Sequence, residues 1–361
     1  MNISVITKQA SFFLLFACCQ NTIAQNIKVL VDSIAKVHFQ DSANVGFSIG
    51  IIENDSIREY YYGGKYVHNL KDIDSATLFE IGSVTKLYTS FILASLETEN
   101  KISRFDLLSK YLPQGVTDDK LWGSKVRLVD LATHTSGLPQ FESTKSLIGL
   151  EGFDENDPYG LFTEDFMLDI LKKTDTLNNY GKIRYSNFGI GLLGYAMAKS
   201  QNTSFSDLFM KYIVKNQGLE STYLSVPERY LTNIAIPHRK LEKMPLIHLA
   251  GMNPSGSIKT SMPDLLSFLD IHLKKPVAIK STVELVLENQ LKNNEQAVGL
   301  GWGIHTIQNE TMYFHNGGTY GSSSIVLIVP SKMIGVAILS NNSSEGQLTS
   351  FILKLINKLI D

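Results

Sequence analysis

Strand-forming sequence is confined to the two ends of this chain, and that distribution restricts the fold more than any other feature. Val45–Ile52 and Ser56–Gly63, joined across Glu53-Asn54-Asp55, read as a β-hairpin. Strand patterns return at 299–307, 311–315, 322–329 and 334–340. Between the two groups, from about 98 to 285, the pattern is helical and rich in loops. Helices are expected over 126–133, 163–173, 187–200, 204–216 and 262–273, with turns at Pro139, Pro158, Pro227, Pro237 and Pro254. Residues 26–40 carry Ile27, Leu30, Val31 and Ile34 at helical spacing, and 346–360 closes the chain as an amphipathic helix. Short connections between strands favour antiparallel pairing. The expected fold is therefore α+β: one antiparallel sheet built from both ends, flanked by the terminal helices, with a helical domain inserted. The boundaries that follow are 25–97 plus 286–361 for the discontinuous sheet domain and 98–285 for the insert.

The first residues stand apart. Lys8 is the only charge before Lys28, and 11–19 form a short apolar core followed by Thr22-Ile23-Ala24. That is the pattern of a secretory signal peptide over 1–24, cleaved after Ala24. The alternative is a lipoprotein signal, with Leu15-Phe16-Ala17-Cys18 as an imperfect lipobox and Cys18 as a lipid anchor. A secreted or periplasmic protein is expected on the first reading and a membrane-anchored lipoprotein on the second. Both cysteines lie in this segment, so cleavage leaves neither disulfide nor thiol nucleophile. The net charge of −2, without long runs of one sign, argues against a nucleic-acid-binding face. No later stretch approaches the roughly 18 apolar residues of a membrane span. A monomer acting on a small molecule or peptide is expected.

Three segments carry chemistry. Ser83 and Lys86 sit one turn apart at the start of a mostly apolar helix, so Oγ and Nζ share a face. The spacing alone is weak, because Ser33 and Lys36 repeat it on an amphipathic helix. Tyr185-Ser186-Asn187 opens another helix; by itself it reads as a helix start with Asn187 as the cap. His315-Asn316-Gly317-Gly318 falls between two strands and by itself reads as a hairpin turn. Together they make a site. A serine hydroxyl needs a neighbouring base, which Lys86 supplies if a partly buried site and a nearby positive charge lower its pKa. Tyr185 can share that proton and protonate a leaving group. Asn187 can hold the lysine and a substrate carbonyl. The glycines let a strand edge approach a ligand, and a backbone N–H there, paired with that of Ser83, makes an oxyanion hole.

In these residues the chain resembles the penicillin-recognising serine hydrolases, above all the branch of class C β-lactamases, D-Ala-D-Ala carboxypeptidases and related esterases. The resemblance extends through Asp106–Pro113, Val126–Pro139, Pro254–Leu265 and Gly299–Gly303, nearly the whole mature chain. It implies the β-lactamase/transpeptidase-like fold, Ser83 as nucleophile, Lys86 and Tyr185 as the acid/base pair, and Asn187 as a binding residue. It implies substrate binding at His315 and Gly317, and places Gly318 where class C enzymes supply the second oxyanion amide. His134 lies in a loop that is mainly architectural in this family. His315 departs from the pattern, standing where class C enzymes carry a lysine. With a reference pKa of about 6.5, it is expected to be mostly neutral at pH 7 and to gain charge, and carboxylate-bearing substrates, below about pH 6.5. A peptidase or esterase on D-amino-acid or small ester substrates therefore ranks level with or above a β-lactamase. A non-catalytic binder of penicillin or cell-wall peptides is the alternative. Histidines 38, 68, 238, 248, 272 and 305 show no metal-ligand spacing, so no metal or cofactor is expected.

Overall fold

A computed structural model describes residues 25–67, 72–141, 147–155, 157–291 and 296–361. The expected signal segment 1–24, the alternative anchor Cys18 and His68 lie outside the described residues. The chain divides into two compact units, one ending at Asn44 and one spanning Val45–Asp361. In the first, a helix over 25–38 (α1) carries an i,i+4 pair, Lys28 to Asp32 at 2.6 Å.

The second unit opens with the expected hairpin, β1 (Gly46–Glu53) and β2 (Ser56–Gly63), turned by Asn54 at a φ of 54°. A short strand β3 (Phe79–Glu80) then leads into α2 (Thr85–Thr98). The helical stretch follows as α3 (Leu128–Ala132), α4 (Glu164–Lys173), α5 (Asn187–Ser200) and α6 (Phe205–Phe209). The expected helix over 204–216 continues beyond α6 as a wider π-helical turn, Met210–Lys215. Two-residue strands β4 (Thr222–Tyr223), β5 (His238–Arg239), β6 (Glu242–Lys243) and β7 (Lys259–Thr260) precede α7 (Met262–Lys274) and α8 (Lys280–Leu287). These strands and α8 are too short for a periodicity argument to find.

The chain then returns to the sheet through β8 (Ala297–Val298), β9 (Gly303–Ile307), β10 (Glu310–Gly318), β11 (Ser323–Val329) and β12 (Ile334–Ser340), and ends in α9 (Glu345–Ile360). Among the described residues the main sheet has seven antiparallel strands, in the order β2-β1-β12-β11-β10-β9-β8. Both ends of the chain thus meet where β1 pairs with β12. Successive strand residues face opposite sides, and both sides of the central strands are covered. Phe47 meets Phe351 of α9, whereas Gly50 lies under Met262 and Leu266 of α7. That is why β11 and β12 are buried along their whole length and read as continuous apolar runs.

One strand departs from expectation. His315-Asn316-Gly317-Gly318 is no turn: β10 runs through it to Gly318, and the reversal into β11 comes at Thr319–Ser322. The two glycines weaken a strand signal, but the pairing of Gly317 with Ser324 and Gly318 with Ser323 holds them in the ladder.

Candidate active site

The turn Gly82–Val84 joins β3 to α2, a helix buried from Thr85 to Leu96 on every side. Ser83 is the one residue of that turn reached by solvent. Its N–H belongs to a first turn, where amides lack helical acceptors and the helix dipole favours negative charge. The turn lies against β10, backbone to backbone. A Cβ on Gly82, whose φ is +48°, would sit 2.5 Å from Gly318 O, and one on Gly317 would sit 2.1 Å from Ile81 O. Only glycine permits that approach.

Lys86 is wholly buried. Its Nζ lies 2.9 Å from Ser83 Oγ, 2.8 Å from Asn187 Oδ1 and 2.7 Å from Ser255 O. Burial holds its pKa well below the ordinary lysine value. The Tyr185 ring, 4.7 Å away, favours the charged form, but a cation–π contact of about 0.5–2 kcal/mol is smaller than the several kcal/mol needed to desolvate an ion. Burial therefore shifts the balance toward the neutral amine. It has two N–H donors and one lone pair, while the Asn187 and Ser255 oxygens can only accept. Both donors are thereby spoken for, and the lone pair is left facing the Ser83 hydroxyl.

Tyr185 Oη donates to Ser83 Oγ at 2.5 Å. Its ring packs against His134 at 4.7 Å, and His134 Nδ1 accepts from Ser186 N at 3.2 Å. Burial above all pushes the His134 pKa down to about 3, so its imidazole is a neutral support for Tyr185. The helix cap is Ser186, which accepts from Gly189 N at 2.9 Å. Asn187, read from sequence as the cap, is thereby freed to hold Lys86.

His315 shares a strand face with Gly317, the face turned to Ile81 and Ser83. Its Nδ1–H donates to Asn316 O at 2.6 Å. Burial, followed by repulsion from Lys86 whenever that amine is protonated, lowers its pKa to about 4. This corrects the sequence expectation: His315 stays neutral below pH 6.5, because an exposed reference histidine lacks that burial. Pairing with β9 stops at Phe314, and β10 continues beyond it. Since Thr319 N bonds Ser322 O on the β11 side, strand alternation directs the Gly318 N–H to the opposite edge, toward the Gly82–Ser83 turn.

Ser83, Tyr185, Asn187, His315, Gly317 and Gly318 all line one cavity of about 540 Å³. Its further walls were not legible beforehand. Ser255 supplies a carbonyl, which no side-chain motif announces. Glu80 is buried just ahead of the nucleophile turn and accepts from Ile247 N at 2.6 Å and Thr319 Oγ1 at 2.7 Å, tying two cavity walls together. Lys259 Nζ lies 3.6 Å from the same carboxylate. Cross-strand pairing of Glu80 with Lys259 between two-residue strands gave no readable pattern.

The family model for beta-lactamases matches residues 24–355. A beta-lactamase of Providencia stuartii is 29% identical over 264 residues, 72% of this chain and 63% of its own length, so the chain spans less than two thirds of that relative. A beta-lactamase of Pseudomonas fluorescens is 26% identical over 359 residues, covering 89% of this chain and 95% of its own. A solved class C beta lactamase has the same fold, with a TM-score of 0.81 at 23% identity over 92% and 98% of the two chains.

Proposed function

Because the chain belongs to the beta-lactamase family of serine hydrolases, we propose that Ser83 is its nucleophile and that uncharged esters or amides, including D-amino-acid peptides, are its substrates. The observation that carries this reading is the chain of hydrogen bonds from Lys86 through Ser83 to Tyr185. Lys86 Nζ takes the hydroxyl proton as Oγ attacks the carbonyl carbon. The N–H groups of Ser83 and Gly318 receive the oxyanion. Tyr185 delivers a proton to the departing atom and is restored by the proton that Lys86 has taken. Water then enters, gives its proton back along the same path, and releases the acyl group.

The neutral His315 supports the choice of substrate, since the described lining of the site then offers no fixed cation for a carboxylate. Hydrolysis of β-lactams is the second reading, favoured by the names of the relatives. Non-catalytic binding is disfavoured, because a mere binder has no use for a lysine lone pair aimed at a serine. Treatment with a fluorophosphonate and with a fluorescent penicillin, followed by peptide mass spectrometry, should put the adduct on Ser83. Turnover of nitrocefin, p-nitrophenyl esters and D-Ala-D-Ala peptides then ranks the substrates. Labelling that survives in Ser83→Ala sinks the assignment.

A further inference from the structure

Beside the catalytic cavity lies a smaller one of about 190 Å³. The two share Tyr185, His315 and Asn316; Ile183, Val298, Trp302 and Phe314 supply apolar wall to the smaller one. No Asp, Glu, Lys or Arg among the described residues lines it. We propose that this cavity is the leaving-group pocket, selecting esters or amides whose departing alcohol or amine carries one uncharged group of phenyl or branched-alkyl size. The inference rests on the hydrolase reading above and adds the substrate class to it.

Three observations lead there. The first is the direction of the proton. Lys86 is fully buried, so Tyr185 Oη, 2.5 Å from Ser83 Oγ, is the end of the proton path that a substrate can reach. The departing atom must therefore lie against Tyr185, whose side chain lines both cavities. In acylation the Oγ–C bond forms, the C–X bond breaks and the Ser83 proton ends on X, so that HX is left standing at Tyr185. The acyl part keeps the larger cavity, beside Tyr159, Ile247 and Tyr320.

Size is the second. Apolar cavities of roughly 150 Å³ take up benzene, so 190 Å³ admits one such group. Charge is the third. A carboxylate placed there would face two neutral imidazoles, His134 at about 3 and His315 at about 4, with no cation among the described wall residues. An unpaired ion is costly to bury.

The test uses acetate esters of methanol, benzyl alcohol and 4-(hydroxymethyl)benzoate, which share an acyl group and differ little in leaving-group acidity. At pH 7 the benzyl ester should exceed the methyl and the carboxylated ester by at least about tenfold in kcat/KM. Val298→Phe and, separately, Ile183→Phe partly fill the cavity and should cut the benzyl-to-methyl ratio about tenfold. A measurement independent of turnover accompanies these. Trp302 is in the wall and Trp122 is the only other tryptophan, so benzyl alcohol should change intrinsic emission saturably, with a dissociation constant on the order of millimolar, and should fail to do so in Val298→Phe. Turnover without benzyl preference, with no emission change, overturns the pocket and leaves the hydrolase standing. Saturable benzyl alcohol binding with no turnover of any ester overturns the hydrolase reading and the leaving-group role with it.

Discussion

Lys86 and Lys259 are both withdrawn from water, at 0% and 5% exposure, yet only Lys259 has a carboxylate beside it. Lys259 lies 3.6 Å from Glu80 Oε1 and donates to Ile247 O at 3.1 Å. Burial lowers its pKa, but the Glu80 charge and hydrogen bond pull it back up. Burial also lowers that of Lys86, with no opposing charge. Three polar oxygens are arranged around Lys86 Nζ, and none is ionised. The difference separates a lysine whose charge is answered by a carboxylate, holding two strands and a cavity wall together, from one whose charge is not, favouring a lone pair held on a serine. A buried amine becomes a base when its donors are satisfied and its charge is not.

The sharpest way to break the comparison is to remove each amine. Lys86→Met should lower kcat/KM by about 10³–10⁴ or more, the range of a lost base at an activated nucleophile. Thermal stability should move by only a few degrees, because no buried carboxylate is stranded and the site is open enough for water to meet Asn187 and Ser255. Tyr185→Phe should cost on the order of 10²–10⁴, and the double variant far less than the product of the two, since both act on one proton. Fully multiplicative losses would separate the two groups and discard the shared path.

Lys259→Met should behave the other way round. It strands Glu80, and breaking a buried pair from one side costs about 3–5 kcal/mol, or a drop in Tm of roughly 5–10 °C. Adding Glu80→Gln removes the lone charge while keeping an acceptor for Ile247 N, and should recover part of that loss. Activity of the double variant should stay within about tenfold of the parent. A melting temperature untouched by Lys259→Met would show that the pair is too hydrated to matter.

The contrast between the two lysines also marks what a sequence can reveal. Ser83, Lys86, Tyr185 and Asn187 are side chains at helix starts, and regular spacing on either side announces them. The sheet assembled from both chain ends was legible for the same reason, its strands being long and continuously apolar. Glu80 and Lys259 sit on two-residue strands whose partners are 179 positions apart by the difference of their numbers and carry no periodicity. The Ser255 carbonyl belongs to no residue type. The environment of His315 is hidden for a related reason. It is made by segments distant in the sequence, such as the Ile81–Ser83 turn that meets Gly317 of the same strand, and its own strand does not encode them.

The smallest expected effect tests the other side of the site. His315→Lys puts a fixed cation where the chain now carries a neutral imidazole. An ionic hydrogen bond to a substrate carboxylate is worth about 1.5–3 kcal/mol, one to two decades in kcat/KM at 1.4 kcal/mol per decade. Penicillins and cephalosporins should gain that much, and neutral esters little. Acidifying the parent protein is no substitute. With its folded pKa held at about 4, His315 charges only as pH falls into the range where a carboxylate of pKa about 4 loses its own charge. The two charges scarcely coexist, so the parent should show no acid-side gain for carboxylated substrates between pH 7 and 5. The new cation has a second consequence. Like charge disfavours protonation of Lys86, so the acidic limb of kcat/KM, which rises as Lys86 loses its proton, should move to lower pH for every substrate. Matched acid and neutral-ester profiles in both proteins separate the two effects. A limb that moves with no selective gain for carboxylates would mean that the lysine at 315 acts on the base and not on the substrate, and that the difference between Lys86 and its surroundings reaches across the cavity.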